Sequence, residues 1–307
     1  MLHLSIRVLA VSVTWLLASV TCLSQESIET LRVATYNLRN YLAMDRIVEG
    51  DFRVNYPKPE SEKTVVRESI LAVEPDLLAI QEIGSEELLL ELRDDLANEG
   101  LVYEGYFLLE ADDQTRKIGA LWNGALKVRP IAHTDMSFPF FGDRKKIKRG
   151  LLELQLDDFG GEPLSLFVVH LKSRYTSDKR DPKSARRRTS EAEAARDRIL
   201  ERFPDPSVSR FIIMGDLNDY RHTSSVRRFL ERGDVRISVI QEARDESGLI
   251  WTHFYKKGGE YSLIDYILCS PGLEDASEMK SAIYDSENYY QGSDHRLVWT
   301  ELTTVQD

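Results

Sequence analysis

Several apolar runs in this chain end on a residue that can bind a group or move a proton. Asn37 closes LRVATYN, Glu82 closes LLAIQE and His170 closes LFVVH. Asp216 and Asn218 close FIIMGDLN, Asp265 interrupts YSLIDYIL, and Asp294 and His295 stand just before the final apolar run. Taken singly, Asn and Asp end strands and cap helices everywhere. Taken together, an acid, an amide or an imidazole is delivered at the rim of one strand after another, which is how a sheet protein assembles a site. In extended chain residues two apart point the same way, so Asp216 and Asn218 can address a single bound group. No Ser or Cys nucleophile with a partnered base accompanies them, which argues against a covalent intermediate.

The elements that must position these residues alternate between strand and helix. Strands are predicted at LRVATYNL (31–38), DLLAIQEI (76–83), KIGALWN (117–123), RGLLELQL (149–156), LSLFVVHL (164–171) and RFIIMGDL (210–217), with YSLIDYILCS (261–270) and HRLVWTEL (295–302) closing the series. Helical spacing of apolar residues marks 60–74, which stops at Pro75, and also 85–99 and 186–203. No repeat, glycine-rich linker or low-complexity stretch separates two halves. The chain reads as one mixed α/β domain over 25–307, with helices covering large sheets.

Composition narrows the partners. The 51 acidic residues outnumber the 40 basic ones, and the net charge of −11 argues against wholesale adhesion to nucleic acid or anionic membrane. A bound metal or a local basic patch can still reverse the potential in one cleft. The first 24 residues, a short cationic start followed by VLAVSVTWLLASVTCL, read as a signal peptide, too short to span a bilayer. They imply a secreted or periplasmic protein; an uncleaved anchor or a lipid on Cys22 are the alternatives. Cleavage leaves Cys269 alone, a small buried hydrophobe with no disulfide framework.

The ordered series YNLR, AIQE, VVHLKS, MGDLND, SLIDYIL and GSDHRLV resembles the endonuclease/exonuclease/phosphatase family, from Leu31 to Leu302. The resemblance implies a DNase I-like four-layer α/β sandwich, two packed mixed or antiparallel sheets flanked by helices. It implies a metal-dependent phosphoester hydrolase that attacks with activated water. Asn37 and Glu82 match the metal-holding pair, with Asp294 as a weaker ligand; oxygen donors of this kind suit Mg²⁺, with Mn²⁺ or Ca²⁺ as alternatives. His295 and Asp265 match the His–Asp pair, and His170 and Asn218 match donors to a phosphoryl oxygen. Asp216 would orient or deprotonate the water, although whether Asp216 or His295 is the base stays open. Arg39 and Arg149 match phosphate-contacting arginines.

The substrate reading follows from what surrounds these residues. The basic runs 143–150 and 179–188 are solvated faces or, for the second, a phosphate-binding loop running into a helix N-terminus. His222 and His253 read as surface or packing residues, and Trp122, Trp251 and Trp299 as core. A secreted, monomeric nuclease or phosphodiesterase acting on nucleic acid is expected. A phosphatase or phospholipase C-like enzyme on lipid or inositol phosphates is the alternative, against which no exposed apolar hairpin is evident. An inactive binding module on the same fold is a remote third reading.

Overall fold

Alternation along the strands decides the layers. In Thr30–Tyr41, Leu31 and Val33 face one way while Ala34, Tyr36 and Leu38 face the other. The first set joins Leu77 and Ala79 from Leu77–Ile83 and Leu152, Leu166, Val168, Ile212, Met214 and Ile267 in one apolar layer between two sheets. The second set packs with Val66, Ile70, Leu89 and Leu92 of the helices Glu60–Val73 and Glu86–Asn98. On the far side Phe167, Val169, Phe211 and Ile213 pack against Ala192, Ala195 and Ile199 of the helix Ala185–Arg202. The result is the expected four-layer sandwich, helix on sheet on sheet on helix. The computed structural model describes residues 28–305, and the expected signal peptide lies outside them.

The first sheet runs Ser277–Ile283, Val298–Thr304, Thr30–Tyr41, Leu77–Ile83, Lys117–Trp122 and Gly105–Leu109 from edge to edge. The second runs Val239–Ile240, Asp265–Cys269, Phe211–Asp216, Glu162–His170, Leu151–Phe159 and Val128–His133. Each is mixed, with one parallel pair at its centre: Thr30–Tyr41 beside Leu77–Ile83, and Glu162–His170 beside Phe211–Asp216. Those four strands therefore end at one rim. Each fully buried Leu, Ile or Val in the layer between the sheets contributes roughly 1.5–3 kcal/mol relative to exposure, and that layer holds the two rims in register.

Local chemistry sets the ends. The first helix stops where predicted: Glu74 turns left-handed (φ 48°), its N–H donates to the Ile70 carbonyl, and Pro75 cannot continue. Ser85 caps the second, its hydroxyl accepting from the Leu88 N–H. Among the described residues no helix is long and apolar enough to cross a membrane.

Two expectations are corrected. YSLIDYILCS is not one strand: Glu260–Ser262 pairs with His253–Tyr255 in a separate hairpin, and Asp265 opens the sheet strand Asp265–Cys269 instead of interrupting it. An exposed apolar hairpin does exist. Met44–Val48 and Asp51–Tyr56 pair around a left-handed Glu49-Gly50 turn, leaving Ile47, Phe52 and Val54 66–74% exposed.

Candidate active site

The polar rim residues continue the parity of the inter-sheet face. Leu31 and Val33 lead to Asn37, Leu166 and Val168 to His170, Ile212 and Met214 to Asp216, and on the neighbouring strand Asp265 shares the face of Ile267 and Cys269. One apolar layer thus opens into Asn37, His170, Asp216 and Asp265, each at most 2% exposed. Glu82 reaches the same rim differently. Gln81 holds the inter-sheet parity and bonds Thr35, so simple alternation would send Glu82 toward the helices. A register shift on both neighbouring strands and a left-handed backbone at Glu82 (φ 66°) redirect it.

Asp216 is the hub. Its Oδ2 accepts from the Asn37 amide at 3.0 Å and the Asn218 amide at 2.9 Å, and its Oδ1 accepts from the Asn218 backbone N–H at 2.7 Å. The expected meeting of Asp216 and Asn218 occurs, but not by extended-chain parity: the strand ends at Asp216, and Asn218 folds back in a left-handed turn (φ 53°). Asn218 also donates to the Leu171 carbonyl, so here its amide steadies Asp216. Gly215 makes the swing possible. At φ 136° it brings the strand so near its neighbour that a Cβ would sit 2.0 Å from the Val169 carbonyl oxygen.

The His–Asp pair forms as expected, with His295 Nδ1 at 2.9 Å from Asp265 Oδ2. Ser293, which sequence reasoning passed over, anchors that loop by donating to the Asn37 carbonyl and accepting from the His295 N–H. His170 Nε2 lies 3.5 Å from Asp216 and 4.0 Å from Glu82, and Glu82 accepts from the Asn40 N–H. Arg39 reaches Asp294 at 3.6 Å and keeps a partly exposed guanidinium over Tyr290. Arg149 is buried, donating to the Leu171 carbonyl and facing Asp113 at 3.2 Å, which places it behind His170 as a fixed cation and not at an open surface. Asp294 turns toward His253 and His295, its oxygens 4.0 Å from each Nε2. His253, expected as a surface or packing residue, stands opposite His295 through one isolated bridge that nothing in WTHFY signals.

Electrostatics separates the titrating groups. Burial and then the Asp265 charge push the Asp216 carboxyl well up. Burial works against a charged His295, but Asp265 more than reverses it and raises the imidazole to about 10. Burial and then Arg149 hold His170 well below its ordinary value, as a neutral imidazole. A hard cation suits this ground: Asn37 and Glu82 end adjacent parallel strands, the Asn40 side-chain oxygen is buried without a partner, and Asp216 is raised by burial and by the Asp265 and Glu82 charges beside it.

The flanks differ in character. A cavity of about 510 Å³ opens on Asn218 and His295 and is walled by Tyr175, Tyr220, Tyr255 and Arg174. A second, of about 460 Å³, collects Lys145, Lys148, Lys172 and Arg187, so the two basic runs meet there. Arg188 does not join them: it is 2% exposed and bonded to Asp219. His222 is exposed; Trp122 is core, while Trp251 and Trp299 are half-buried beneath Arg296 and Arg32.

The model of the Endonuclease/Exonuclease/phosphatase family matches residues 34–295. No curated protein matches the sequence. The fold is similar to the human Nocturnin catalytic domain with bound sulfate, at TM-score 0.63 and 16% identity over 91% of this chain and 96% of that one. It is also similar to truncated Caenorhabditis elegans TDP2 (TM-score 0.58, 17% identity, 90% and 98% covered) and to sphingomyelinase C from Streptomyces griseocarneus (0.59, 16%, 89% and 99%). At such identities the likeness is one of fold.

Proposed function

The chain belongs to the endonuclease/exonuclease/phosphatase family of metal-dependent phosphoesterases, and from that premise we propose a secreted Mg²⁺-dependent nuclease or phosphodiesterase acting on nucleic acid. The observation that carries the chemistry is the convergence of Asn37, Glu82, His170, Asp216 and the Asp265–His295 pair at one rim. Two groups raised to about 7 and about 10 hold opposite protonation states between those values, which defines a base and an acid. Asp216, raised toward neutrality and steadied by three donors, takes the proton of the attacking water. His295, kept protonated by Asp265, gives one to the leaving oxygen. Neutral His170 donates toward the phosphoryl group. A divalent cation held by Glu82 and Asn37 would supply Lewis acidity at a non-bridging oxygen.

Support for a nucleic-acid substrate comes from the flanks. Tyrosines beside His295 offer stacking faces, and the lysine-rich cavity offers phosphate contacts. One observation favours a second reading, a lipid phosphodiester: the hairpin bearing Ile47, Phe52 and Val54 stands next to the rim, with Arg46 donating to the Asn40 carbonyl. The test is hydrolysis with Mg²⁺ across plasmid DNA, RNA, sphingomyelin, inositol phosphates and bis-p-nitrophenyl phosphate. Cleavage of DNA or RNA, lost in His295→Ala, is expected. Turnover of sphingomyelin alone, with binding to phosphatidylcholine vesicles, would replace the nuclease reading.

A further inference from the structure

Beside the rim lies a group of ligand atoms that the proposed reaction does not use as a group. Nε2 of His253, a carboxylate oxygen of Asp294 and Nε2 of His295 all fall within 4.8 Å of one another. The backbone sets this up. His253 and His295 face each other across an antiparallel bridge, Phe254 N–H donates to the Asp294 carbonyl and Arg296 N–H to the Thr252 carbonyl. Directly opposed residues of such a pair project to the same side, and the two rings stand 4.7 Å apart.

Both imidazoles are also held in a ligand's orientation. His295 Nδ1 is against Asp265 at 2.9 Å and His253 Nδ1 against the Ser262 hydroxyl at 3.2 Å. With each Nδ1–H donated to an oxygen, each Nε2 is turned toward Asp294: on His253 it holds a lone pair, and on His295 it holds the proton that the proposed reaction uses, which an incoming cation must displace. This is the arrangement, carboxylate or hydroxyl behind histidine, that fixes metal-binding imidazoles. Asp294 Oδ1 faces His295 and Oδ2 faces His253, at 4.0 Å each, with Arg39 at 3.6 Å from Oδ2. Ligand atoms around a tetrahedral zinc sit roughly 3.3 Å apart. The three ligand atoms, all within 4.8 Å of one another, need to close by at most about 1.5 Å per pair, a side-chain adjustment.

We propose that His253, Asp294 and His295 form a transition-metal site that takes Zn²⁺ in the presence of Mg²⁺, and that filling it silences the enzyme by occupying the proton donor. Two nitrogens and one carboxylate are a zinc set, whereas Mg²⁺ favours an octahedron of oxygens. His253 and Asp294 are partly open to the cleft, which leaves room for water as a fourth ligand. Binding is independent of the reaction; the inhibitory consequence rests on the reading of His295 as the acid.

The experiment titrates Co²⁺, as a coloured substitute for Zn²⁺, into the full chain in excess Mg²⁺, and in parallel titrates Zn²⁺ into hydrolysis of a short DNA oligonucleotide, whose leaving alkoxide needs the proton. The expected result is one equivalent of Co²⁺ with visible tetrahedral bands, and inhibition by Zn²⁺ at the same stoichiometry. His253→Gln should weaken both at least tenfold, each rate being taken against that variant's own zinc-free value. Ser262→Ala keeps all three ligands and should weaken Co²⁺ binding about tenfold, guarding against a folding defect in the first variant. No tetrahedral band, or an unchanged zinc midpoint in His253→Gln, overturns the site. A His253-dependent band with undiminished hydrolysis overturns the silencing and shows that the reading of His295 as the acid is what failed.

Discussion

Asp265→Asn tests the division of labour at the rim. Burial by itself disfavours a charged imidazole, yet His295 is raised from 6.5 to about 10, with the Asp265 charge and hydrogen bond the leading causes of the rise. An acid with a raised folded value stays competent below that value and is lost as pH climbs through it. Substituting Asn keeps the shape and removes the charge, so the imidazole should return to its ordinary value or lower. At pH 8 the protonated fraction then drops from about 0.99 to about 0.03, a loss of roughly 30-fold from proton availability alone. Further loss is expected where the Asn amide donates to Nδ1 and fixes the wrong tautomer. The assay is kcat/KM on a short DNA oligonucleotide, whose leaving alkoxide needs the proton, from pH 5 to 10.5 at saturating Mg²⁺. The alkaline limb should move down from about 10 to about 6.5 or below relative to the native enzyme. The acid limb should also move down, because after burial Asp265 is the main influence raising Asp216. A uniform loss at every pH, with both limbs in place, would refute the argument and leave Asp265 as an orienting group only.

Excess EDTA should abolish hydrolysis, and Glu82→Gln should weaken cation binding by calorimetry while leaving the melting temperature within a few degrees; full activity in EDTA would show the Asn37–Glu82 pair misread. Arg188→Ala should lower stability in urea by about 1.5–3 kcal/mol, since buried Asp219 loses one charged partner while keeping Arg174 and Ser225. Lys145→Ala with Lys172→Ala should barely change stability but flatten log KM against log salt on long nucleic acid by about 1.5–2; a reversed pattern would return Arg188 to the binding face. Gly215→Ala should cost about 3 kcal/mol or more, because its Cβ meets the Val169 carbonyl oxygen at 2.0 Å. Ala tolerated within about 0.5 kcal/mol would mean the strands part more easily than the packing implies.

What could be read in the sequence is what alternation and chain order encode. On the central strands the polar residue that ends an apolar run mostly stands on the parity of the inter-sheet face, the flanking helices follow from their own apolar spacing, and the His295–Asp265 pair was legible through the family resemblance of SLIDYIL and GSDHRLV. What could not be read depends on contacts between distant segments or on departures from regular backbone. His253 meets His295 through a single bridge between residues 42 apart in the chain. Arg188 sits in a run that looks solvated, and Asp219, far along the chain, draws it inside. Glu82 and Asn218 reach the rim only through left-handed residues that alternation does not foresee. The 44–56 hairpin escaped because its strands are short and their exposed apolar residues imitate a buried edge.

The chemistry is divided along the seam between the sheets. The candidate cation ligands, Asn37 and Glu82, belong to the first sheet, while Asp216, His170 and Asp265 belong to the second. The Asn37 amide on Asp216 is a direct hydrogen bond between the sheets, and His170 faces Glu82 across the same seam. The His295 loop spans the same seam, tied to the first sheet by Ser293 on the Asn37 carbonyl and to the second by Asp265. The geometry of acid, base and cation is therefore set by how the two sheets sit on one another, which the apolar layer beneath them decides. A displacement of about 1 Å at that layer is enough to misalign reacting groups by a hundredfold in rate. Conservative changes at Val168 or Met214, the last apolar rungs before His170 and Asp216, would reach the reaction through position rather than contact.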